Sequence, residues 1–462
     1  MEIVRKIAQL TQELNYADMD ASVLGRAKYL LLDYLGVAIR GSRTDSSQSV
    51  QRFLSVNHKT SQGVPVIGTE IRAEAYFAAL ANGTSSHSLE LDDVVNAASL
   101  HPAVTVMSAA LSAGCMAKCT GRELLEGIIA GYELTVKLGI ALDPAAHYAQ
   151  GFHPTGTCGT FGAALAAAKI LKLDADGMAR ALGIAGSQAA GSMEFLADGS
   201  FTKRFHAGWA AHAGLIAALL AREGFTGPAS IIEGQHGFLH AYSPVSDPQK
   251  VLAGWGEPYE IMKTSIKPHA CCRYKQGPID CILGIVRENG LSEDDIEKVM
   301  VSVLKAGTAL VAEPRENKLN PRSVVDAQFS MPFGAAVAII YGRAFLDQYS
   351  PENIASPRVR SLMRRVFCKE NPEIEKEFPR KWPAEVEITT RDGHRYRSSI
   401  EYPKGDPENP LSWDEIIVKF NSLSSSVFSE RQCGAIVNRV RAIEEESNIN
   451  LLMEALVAPS PQ

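Results

Sequence analysis

Small residues at helical spacing dominate the first 265 residues of this chain and favour a closely packed helical body. Segments 103–117, 158–171 and 206–221 consist mainly of Ala, Gly and other small residues. Small side chains let helix axes approach closely, so we expect these segments to be neighbouring helices in one interior. A membrane bundle would also favour small residues, but Lys118 and His206 are among the polar residues that bound or interrupt the segments. Because no apolar run reaches the roughly 18 residues of a membrane span, we expect no membrane association.

The pattern changes near Lys267. Residues 297–303 alternate as a half-buried strand should, and residues 385–402 predict two strands around an Asp392-Gly393 turn. Segments 327–341 and 351–366 between them have helical spacing, and 412–457 returns to amphipathic helices. We therefore predict a mainly α protein with a large all-helical domain, residues 1–266 and 403–462, and a smaller α+β domain, residues 267–402.

Composition narrows the class of protein. The net charge is −6, and no basic run has interleaved aromatic residues, so we expect no nucleic-acid partner. Eight cysteines without a regular framework indicate reduced thiols and a cytoplasmic protein. The first ten residues are typical of an amphipathic helix, not of a signal peptide. The chain has no C-x-x-C pair and no H-E-x-x-H, so we expect no bound metal.

The first of four polar sites is the acidic stretch 87–93 with His101. It follows a mostly apolar helix over residues 73–84, yet it contains Glu90, Asp92 and Asp93. Buried carboxylates need partners, because burying them otherwise is costly. The alternative is a solvated helix end, and from this stretch alone the two interpretations are equally supported.

The second site is the glycine-rich run 151–162. His153 precedes the expected start of a helix, where backbone N–H groups with the hydroxyls of Thr155 and Thr157 could hold a carboxylate. The spacing G-x-x-G-x-x-G, with no strand before it, is not a dinucleotide fingerprint. We interpret the glycines as packing residues, but capping does not require the imidazole of His153.

The third and fourth sites contain cations. Lys203 precedes the small-residue helix 206–221, and Lys267 and Arg273 lie at the boundary between the two predicted domains. Each could simply be solvated, although clefts between domains are preferred ligand sites. Cysteines 158, 271 and 272 have no assignable base beside them, so we expect small buried hydrophobes.

Together these sites hold acids, histidines and lysines, without a phosphate loop or nucleophile elbow. This set suits abstraction of a proton next to a carboxylate, with a second group protonating a leaving group or the opposite face. Lysine and arginine would bind substrate carboxylates and stabilise an enolate-like charge. The residues alone predict this reaction class and no specific substrate.

In the order and spacing of these sites the chain resembles the MmgE/PrpD family, over nearly its whole length. The matching pieces are 87–93 with His101-Pro102, 151–162, Lys203 with 206–208, 267–274, 326–332 and 402–406. The family includes 2-methylcitrate dehydratase, cis-aconitate decarboxylase and iminodisuccinate epimerase. The resemblance implies a large helical domain made from both chain ends, a smaller lid domain, a homodimer, and cofactor-free chemistry on small di- or tricarboxylates.

By position, His101, His153 and Lys203 resemble the residues assigned to the active site of the family, and Lys267 is similar to a family lysine; the other candidates come from the four polar sites. The predicted catalytic residues are His101, His153, Lys203 and Asp93, and the predicted substrate-binding residues are Glu90, Lys267, Arg273, Gln276 and Thr155. We expect His153 and His101 to be the acid–base pair and Asp93 to orient a histidine or help protonate the leaving group.

Three departures from the family bear on the reaction. Glu90 replaces an aspartate of the decarboxylase, Val94 replaces a threonine, and Gln276 replaces a histidine that many members have. Because glutamine cannot shuttle a proton at neutral pH, decarboxylation of cis-aconitate is less favoured than dehydration or proton-transfer isomerisation. We predict a hydro-lyase of the 2-methylcitrate dehydratase type; the alternatives are an epimerase, isomerase or decarboxylase on a related polycarboxylate, or a non-catalytic carboxylate-binding homologue.

Overall fold

The computed structural model of the chain describes residues 2–378 and 380–459. The protein is 59% helix and 9% strand, which confirms the predicted mainly helical class. Contacts divide it into two units. The first contains residues up to Ser88, Asp92–Thr264 and the residues from Ser412 onward; the second contains Leu89–Leu91 and Ser265–Leu411. The predicted domain layout stays a prediction.

The first unit consists mainly of helices. They are α1 Ile3–Glu13, α2 Ala21–Gly41, α3 Asp45–Asn57, α4 Ala75–Ser86, α5 Pro102–Ala117, α6 Gly121–Leu142, α7 Pro144–Ala149, α8 Pro154–Ile170, α9 Ala175–Gly186, α10 Thr202–Arg222, α11 Phe238–Tyr242, α20 Trp413–Ser424, α21 Glu430–Arg441 and α22 Asn450–Ala455. The prediction that this part is all-helical was wrong. Strands β1 (Lys59–Pro65) and β2 (Arg72–Ala73) form an antiparallel pair. The residues of β1 do not alternate between apolar and polar, and β2 has only two residues, so neither has a strand signal.

Helix α8 lies at the centre of the first unit and packs against α5, α6 and α10. Its glycines permit these contacts, as interpreted from the sequence. A Cβ atom at Gly159 would lie 2.6 Å from the Thr105 side chain, and one at Gly156 would lie 2.5 Å from the carbonyl oxygen of Ala190. Helices α4 and α10 approach equally closely, since a Cβ at Gly83 would lie 2.8 Å from the Cα of Gly208. Small residues therefore bring the helices carrying the polar sites together.

Helix α20, which begins the C-terminal segment of the first unit, packs against α2. Lys419 Nζ lies 2.6 Å from Asp33 Oδ1, and the two side chains are only 5% and 2% exposed. A buried ion pair of this kind strongly disfavours loss of either partner, because the remaining charge would be buried alone.

The second unit combines short helices with a four-stranded sheet. Its helices are α12 Gln276–Asn289, α13 Lys305–Gly307, α14 Arg315–Leu319, α15 Val324–Gln328, α16 Met331–Tyr341, α17 Pro351–Ala355, α18 Pro357–Met363 and α19 Pro372–Glu375. The sheet has the order β4 (Val366–Glu370), β3 (Ile296–Val303), β5 (Ala384–Thr390), β6 (Arg395–Ile400). The predicted strand at 297–303 and the hairpin are confirmed, with Gly393 in the turn at φ 90°.

Helix boundaries differ from the predictions at several places. Segment 158–171 belongs to a helix that begins at Pro154, directly after His153 as expected for the second polar site. The helix predicted to start at His206 begins at Thr202, and the predicted helix 351–366 is divided at Ser356 into α17 and α18. The predicted helix 327–341 is interrupted at Ser330, whose hydroxyl caps a new helix by accepting from the N–H of Phe333. The helix predicted to reach residue 366 ends at Met363, because the β-branched Val366 pairs in parallel with Val299 as strand β4 begins.

None of the helices in the described ranges has both the length and the apolarity needed to cross a bilayer.

Candidate active site

Two helices of the first unit begin in the same way, directly after a histidine followed by proline. His101 precedes α5 and His153 precedes α8, with Pro102 and Pro154 at the first helical position. A residue before proline is pushed into the extended region, and both histidines are extended, with φ −115° and −98°. Neither imidazole forms a capping hydrogen bond to its own helix, which leaves both rings available to contact other side chains. The positive end of each helix dipole also disfavours a charged imidazole there.

The carboxylate of Asp92 lies between two histidines. Its Oδ2 is 2.8 Å from Nδ1 of His87 and 3.0 Å from Nδ1 of His101. Asp92 and His87 are almost completely buried, and a backbone bridge between Val95 and Leu100 closes the loop that returns His101 to this carboxylate. An imidazolium at His101 would therefore be balanced by a buried negative charge.

The tautomer of His101 follows from its contacts. Its Nδ1 also contacts the backbone carbonyl oxygen of Asp93, and a carbonyl can only accept a hydrogen bond. Nδ1 of His101 therefore carries a hydrogen, and in the neutral ring Nε2 has the lone pair. Proton exchange at His101 takes place at Nε2.

Burial dominates the state of His87. It lowers the pKa of the imidazole to about 4, against the opposing effect of Asp92. Nε2 of His87 is buried and has no hydrogen-bond partner among the residues that the structure describes. Such a nitrogen is costly to bury alone, so it marks a position where a ligand atom would be favoured.

Asp93 directs its carboxylate away from the histidines. Oδ2 accepts a hydrogen bond from the Tyr132 hydroxyl at 2.8 Å, and Oδ1 accepts from the N–H of Ala103 at 3.2 Å. Burial raises the pKa of Asp93 to about 8, so the acid stays protonated at neutral pH. The side chain caps α5, and the backbone carbonyl of Asp93 is the part that contacts His101.

The imidazoles of His153 and His206 contact each other. Their Nδ1 atoms are 3.2 Å apart, and the edge of the Phe195 ring approaches both, with centroids 6.1 and 6.0 Å away. The ring of His153 also stacks on that of His87 at 5.6 Å. Burial holds the pKa of His153 well below its usual value and that of His206 at about 4. Both rings are therefore neutral at pH 7.

Lys203 and Thr155 complete the part of the predicted site in the first unit. Lys203 lies three residues before His206 in α10, so the two side chains share a helix face. Its positive charge contributes to the lowered pKa values of His87, His153 and His206. The hydroxyl of Thr155 accepts a hydrogen bond from the backbone N–H of His101 at 3.2 Å, which links the starts of α5 and α8.

The other predicted binding residues belong to the second unit. Glu90 has a left-handed backbone, with φ 55°, in the segment Leu89–Leu91. Lys267 is only 2% exposed, and a guanidinium nitrogen of Arg273 lies 2.6 Å from both carboxylate oxygens of Asp406. The Gln276 amide bonds the backbone of residues 269 and 271, which makes it a support of that loop. Substrate binding by these four residues stays a prediction.

The structure adds residues that the sequence-based site did not include. Asp92, His87 and His206 lay within the quoted stretches without an assigned role, since spacing does not show which neighbouring acid faces an imidazole. Tyr132 has no sequence signal, because it is an ordinary aromatic residue within the apolar helix α6. Cysteines 158, 271 and 272 are buried as expected, and burial raises the pKa of Cys158 to about 12, which leaves a poor nucleophile.

Comparison with known proteins shows similarity over nearly the whole chain. Residues 5–250 match the MmgE/PrpD N-terminal domain, and residues 269–444 match the MmgE/PrpD C-terminal domain. A cis-aconitate decarboxylase-like protein of Aspergillus oryzae is 28% identical over 98% of this chain and 96% of its own. The cis-aconitate decarboxylase of Aspergillus terreus is 28% identical over 99% and 96%, and that of Homo sapiens is 26% identical over 99% and 95%. The chain belongs to the MmgE/PrpD family.

Proposed function

We propose that the protein is a cofactor-independent hydro-lyase that acts on a small di- or tricarboxylate, as 2-methylcitrate dehydratase does. It removes a proton alpha to a carboxylate and expels hydroxide from the neighbouring carbon. The observation that carries the proposal is the pair of histidines at two helix starts, only one of which lies against a carboxylate. Catalytic acids and bases are found where environments separate two titratable groups in this way.

The contacts support different roles for the two histidines. His153 is buried and neutral, so its lone pair can take the alpha proton. His101 is the better proton donor, because the Asp92 carboxylate 3.0 Å away balances the charge of its imidazolium. His101 therefore protonates the departing hydroxide from Nε2. Lys203 stabilises the enolate-like negative charge that forms on the substrate.

Of the two roles predicted for Asp93, orienting a histidine is the one that we propose. Its carboxylate caps α5 and its carbonyl fixes the ring of His101, so Asp93 acts as a positioning residue. Glu90, Lys267, Arg273 and Gln276 remain the proposed determinants of carboxylate binding. A homodimer and a cytoplasmic location likewise remain proposals.

Decarboxylation is the second candidate, because the relatives named above are cis-aconitate decarboxylases or resemble one. That reaction breaks a carbon–carbon bond and releases CO2. Two residues weigh against it. Val94 is buried and cannot donate a hydrogen bond where the decarboxylase has a threonine. Gln276 occupies the position at which many family members have a histidine, and its amide is hydrogen-bonded to backbone atoms.

One panel of assays separates these reactions. The protein is incubated with 2-methylcitrate, citrate and cis-aconitate, while alkenoate absorbance, CO2 release and deuterium uptake from D2O are recorded. Absorbance with a hydroxy acid supports the dehydratase, CO2 from cis-aconitate would replace it with the decarboxylase, and deuterium uptake alone would replace it with an isomerase. Binding with none of these signals would leave a carboxylate-binding protein.

The histidine assignment is tested with a matched pair of variants. His153→Ala should abolish turnover with the fold intact by circular dichroism, whereas His240→Ala, at an exposed position in α11, should not. Wild-type turnover by the His153 variant would remove this residue from the mechanism.

A further inference from the structure

The contact between His153 and His206 requires a defined arrangement of hydrogens. Two imidazole nitrogens 3.2 Å apart form a hydrogen bond only when one carries a hydrogen and the other has a lone pair. The two residues are 53 positions apart in sequence and reach each other through the packing of α8 against α10. The pair is therefore a product of the tertiary structure.

His153 is a poor place for a positive charge. It is 2% exposed, and the charged or titratable groups that act on it, His87, Lys203, His206 and His101, all oppose its protonation. The Asp92 carboxylate contacts the Nδ1 atoms of His87 and His101. Burial, His87 and Lys203 also lower the pKa of His206, but its side chain is partly exposed, so a proton that reaches this ring can pass on to water.

The surroundings hold the two rings in place. The backbone N–H of His153 donates to the carbonyl of Gly191, and a Cβ atom at Gly191 would lie 3.5 Å from Nδ1 of His206. A Cβ atom at Gly156 would lie 3.2 Å from the Cβ atom of His206. Phe195, only 8% exposed, covers both rings with its edge. Glycines on one side and an aromatic ring on the other leave a direct nitrogen-to-nitrogen contact.

We propose that His206 is the proton-transfer partner of His153 and carries the charge of the catalytic base from the buried ring to solvent. The proposal rests on the function proposed above. In the resting pair, Nδ1 of His153 donates to Nδ1 of His206. Nε2 of His153 takes the alpha proton of the substrate, its Nδ1 proton passes to Nδ1 of His206, and the Nε2 proton of His206 passes to water.

The resting pair is restored by the reverse sequence after product leaves. Nε2 of His206 takes a proton from water, and its Nδ1 proton returns to Nδ1 of His153. In the same step His153 releases the substrate-derived proton from Nε2 to water, so no positive charge accumulates on the buried ring. No electrons are transferred, and the net result is one proton moved from carbon to solvent. His206 acts through His153 and does not contact the substrate, so it is a positioning and relay residue.

The test uses two substitutions of His206 and one control on the same helix. His206→Gln and His206→Asn keep a side chain that can accept a hydrogen bond but cannot take up the proton. The control is His212→Gln, since His212 lies on α10 and its Nδ1 contacts the carbonyl of Tyr76 at 2.9 Å. Turnover is measured with whichever acid of the panel the wild-type protein converts.

We expect kcat of the His206 variants to fall by about 10²-fold, the lower end of what a positioned proton-transfer group contributes, with KM near the wild-type value. Added imidazole should restore kcat, because it can accept the Nδ1 proton of His153. The His212 variant should retain kcat and show no response to imidazole. Wild-type kcat in the folded His206 variants, or a loss that imidazole leaves unchanged, would overturn the relay.

A measurement on the wild-type protein needs no variant. Nitrogen NMR of histidine-labelled protein should show hydrogen on Nδ1 of His153 and a lone pair on Nδ1 of His206 at neutral pH. The opposite tautomers would overturn the proposed direction of transfer. If the wild-type protein converts or exchanges none of the acids, the proposed function itself fails, which is a different result from an unaffected His206 variant.

Discussion

Replacing Asp92 with asparagine removes one negative charge from the centre of the candidate site and leaves the side-chain volume almost unchanged. Asp92 Oδ2 lies 2.8 Å from Nδ1 of His87 and 3.0 Å from Nδ1 of His101. An asparagine oxygen could still accept a hydrogen bond, but it could not balance the imidazolium of His101. The substitution should therefore slow protonation of the leaving hydroxide, because His101 loses the negative charge that contacts its Nδ1.

The size of the effect follows from the role assigned to His101. Positioned general acids contribute about 10² to 10⁴ in rate, which at about 1.36 kcal/mol per factor of ten corresponds to roughly 2.7–5.4 kcal/mol of transition-state stabilisation. We expect Asp92→Asn to lower kcat by an amount in this range. KM should change little if Asp92 contacts the histidines and not the substrate.

The assay is steady-state dehydration followed by alkenoate absorbance, with unfolding measured in parallel. The control is Asp174→Asn, because Asp174 caps α9 at an exposed position and asparagine caps equally well. The control should retain both kcat and stability. A folded Asp92→Asn protein with wild-type kcat would refute the claim that this carboxylate supports the acid.

Three other substitutions test the packing and charge states that hold the site. Lys419→Met should lower the free energy of unfolding, measured in urea, by about 3–5 kcal/mol because it leaves Asp33 buried alone. Adding Asp33→Leu should recover most of this loss. An unchanged midpoint of urea unfolding in Lys419→Met would contradict the prediction. Gly156→Ala should cost about 1–3 kcal/mol, since the new Cβ would lie 2.5 Å from the Ala190 carbonyl oxygen, and a melting temperature equal to that of the wild type would exclude the clash. The pKa of Asp93 rises on folding from 3.8 to about 8, so the folded protein keeps a proton that the unfolded chain loses. The stability of the wild-type protein relative to Asp93→Asn should therefore fall as pH rises from about 4 through about 8. A stability difference that does not vary with pH would show that Asp93 is ionised in the folded protein.

Much of the secondary structure was predictable because its signals are local. The helical spacing of small residues, the alternation in β3 and the Asp392-Gly393 turn each depend on neighbours within a few positions. Strand β4 was missed since its five residues follow a helix closely and depend on pairing with the distant β3. Sheet pairing is non-local, so a short strand carries little signal of its own.

The residues of the candidate site were likewise predictable only in part from the sequence. Residue types alone pointed to His101 and His153, because an imidazole ahead of a helix-starting proline has no structural requirement to be there. Which of two adjacent aspartates faces His101 depends on the path of the loop, and the structure selected Asp92 over the predicted Asp93 side chain.

The helical class, the sheet hairpin, the family and the residue types available for proton transfer follow from composition, spacing and order. The partners and protonation states of these residues arise from tertiary packing. Burial sets the pKa of Asp93 and His153, and the contact of His153 with His206 exists because glycines let α8 and the helix α10 approach closely. Burial and distance arise when remote segments pack together, so no local pattern can specify them.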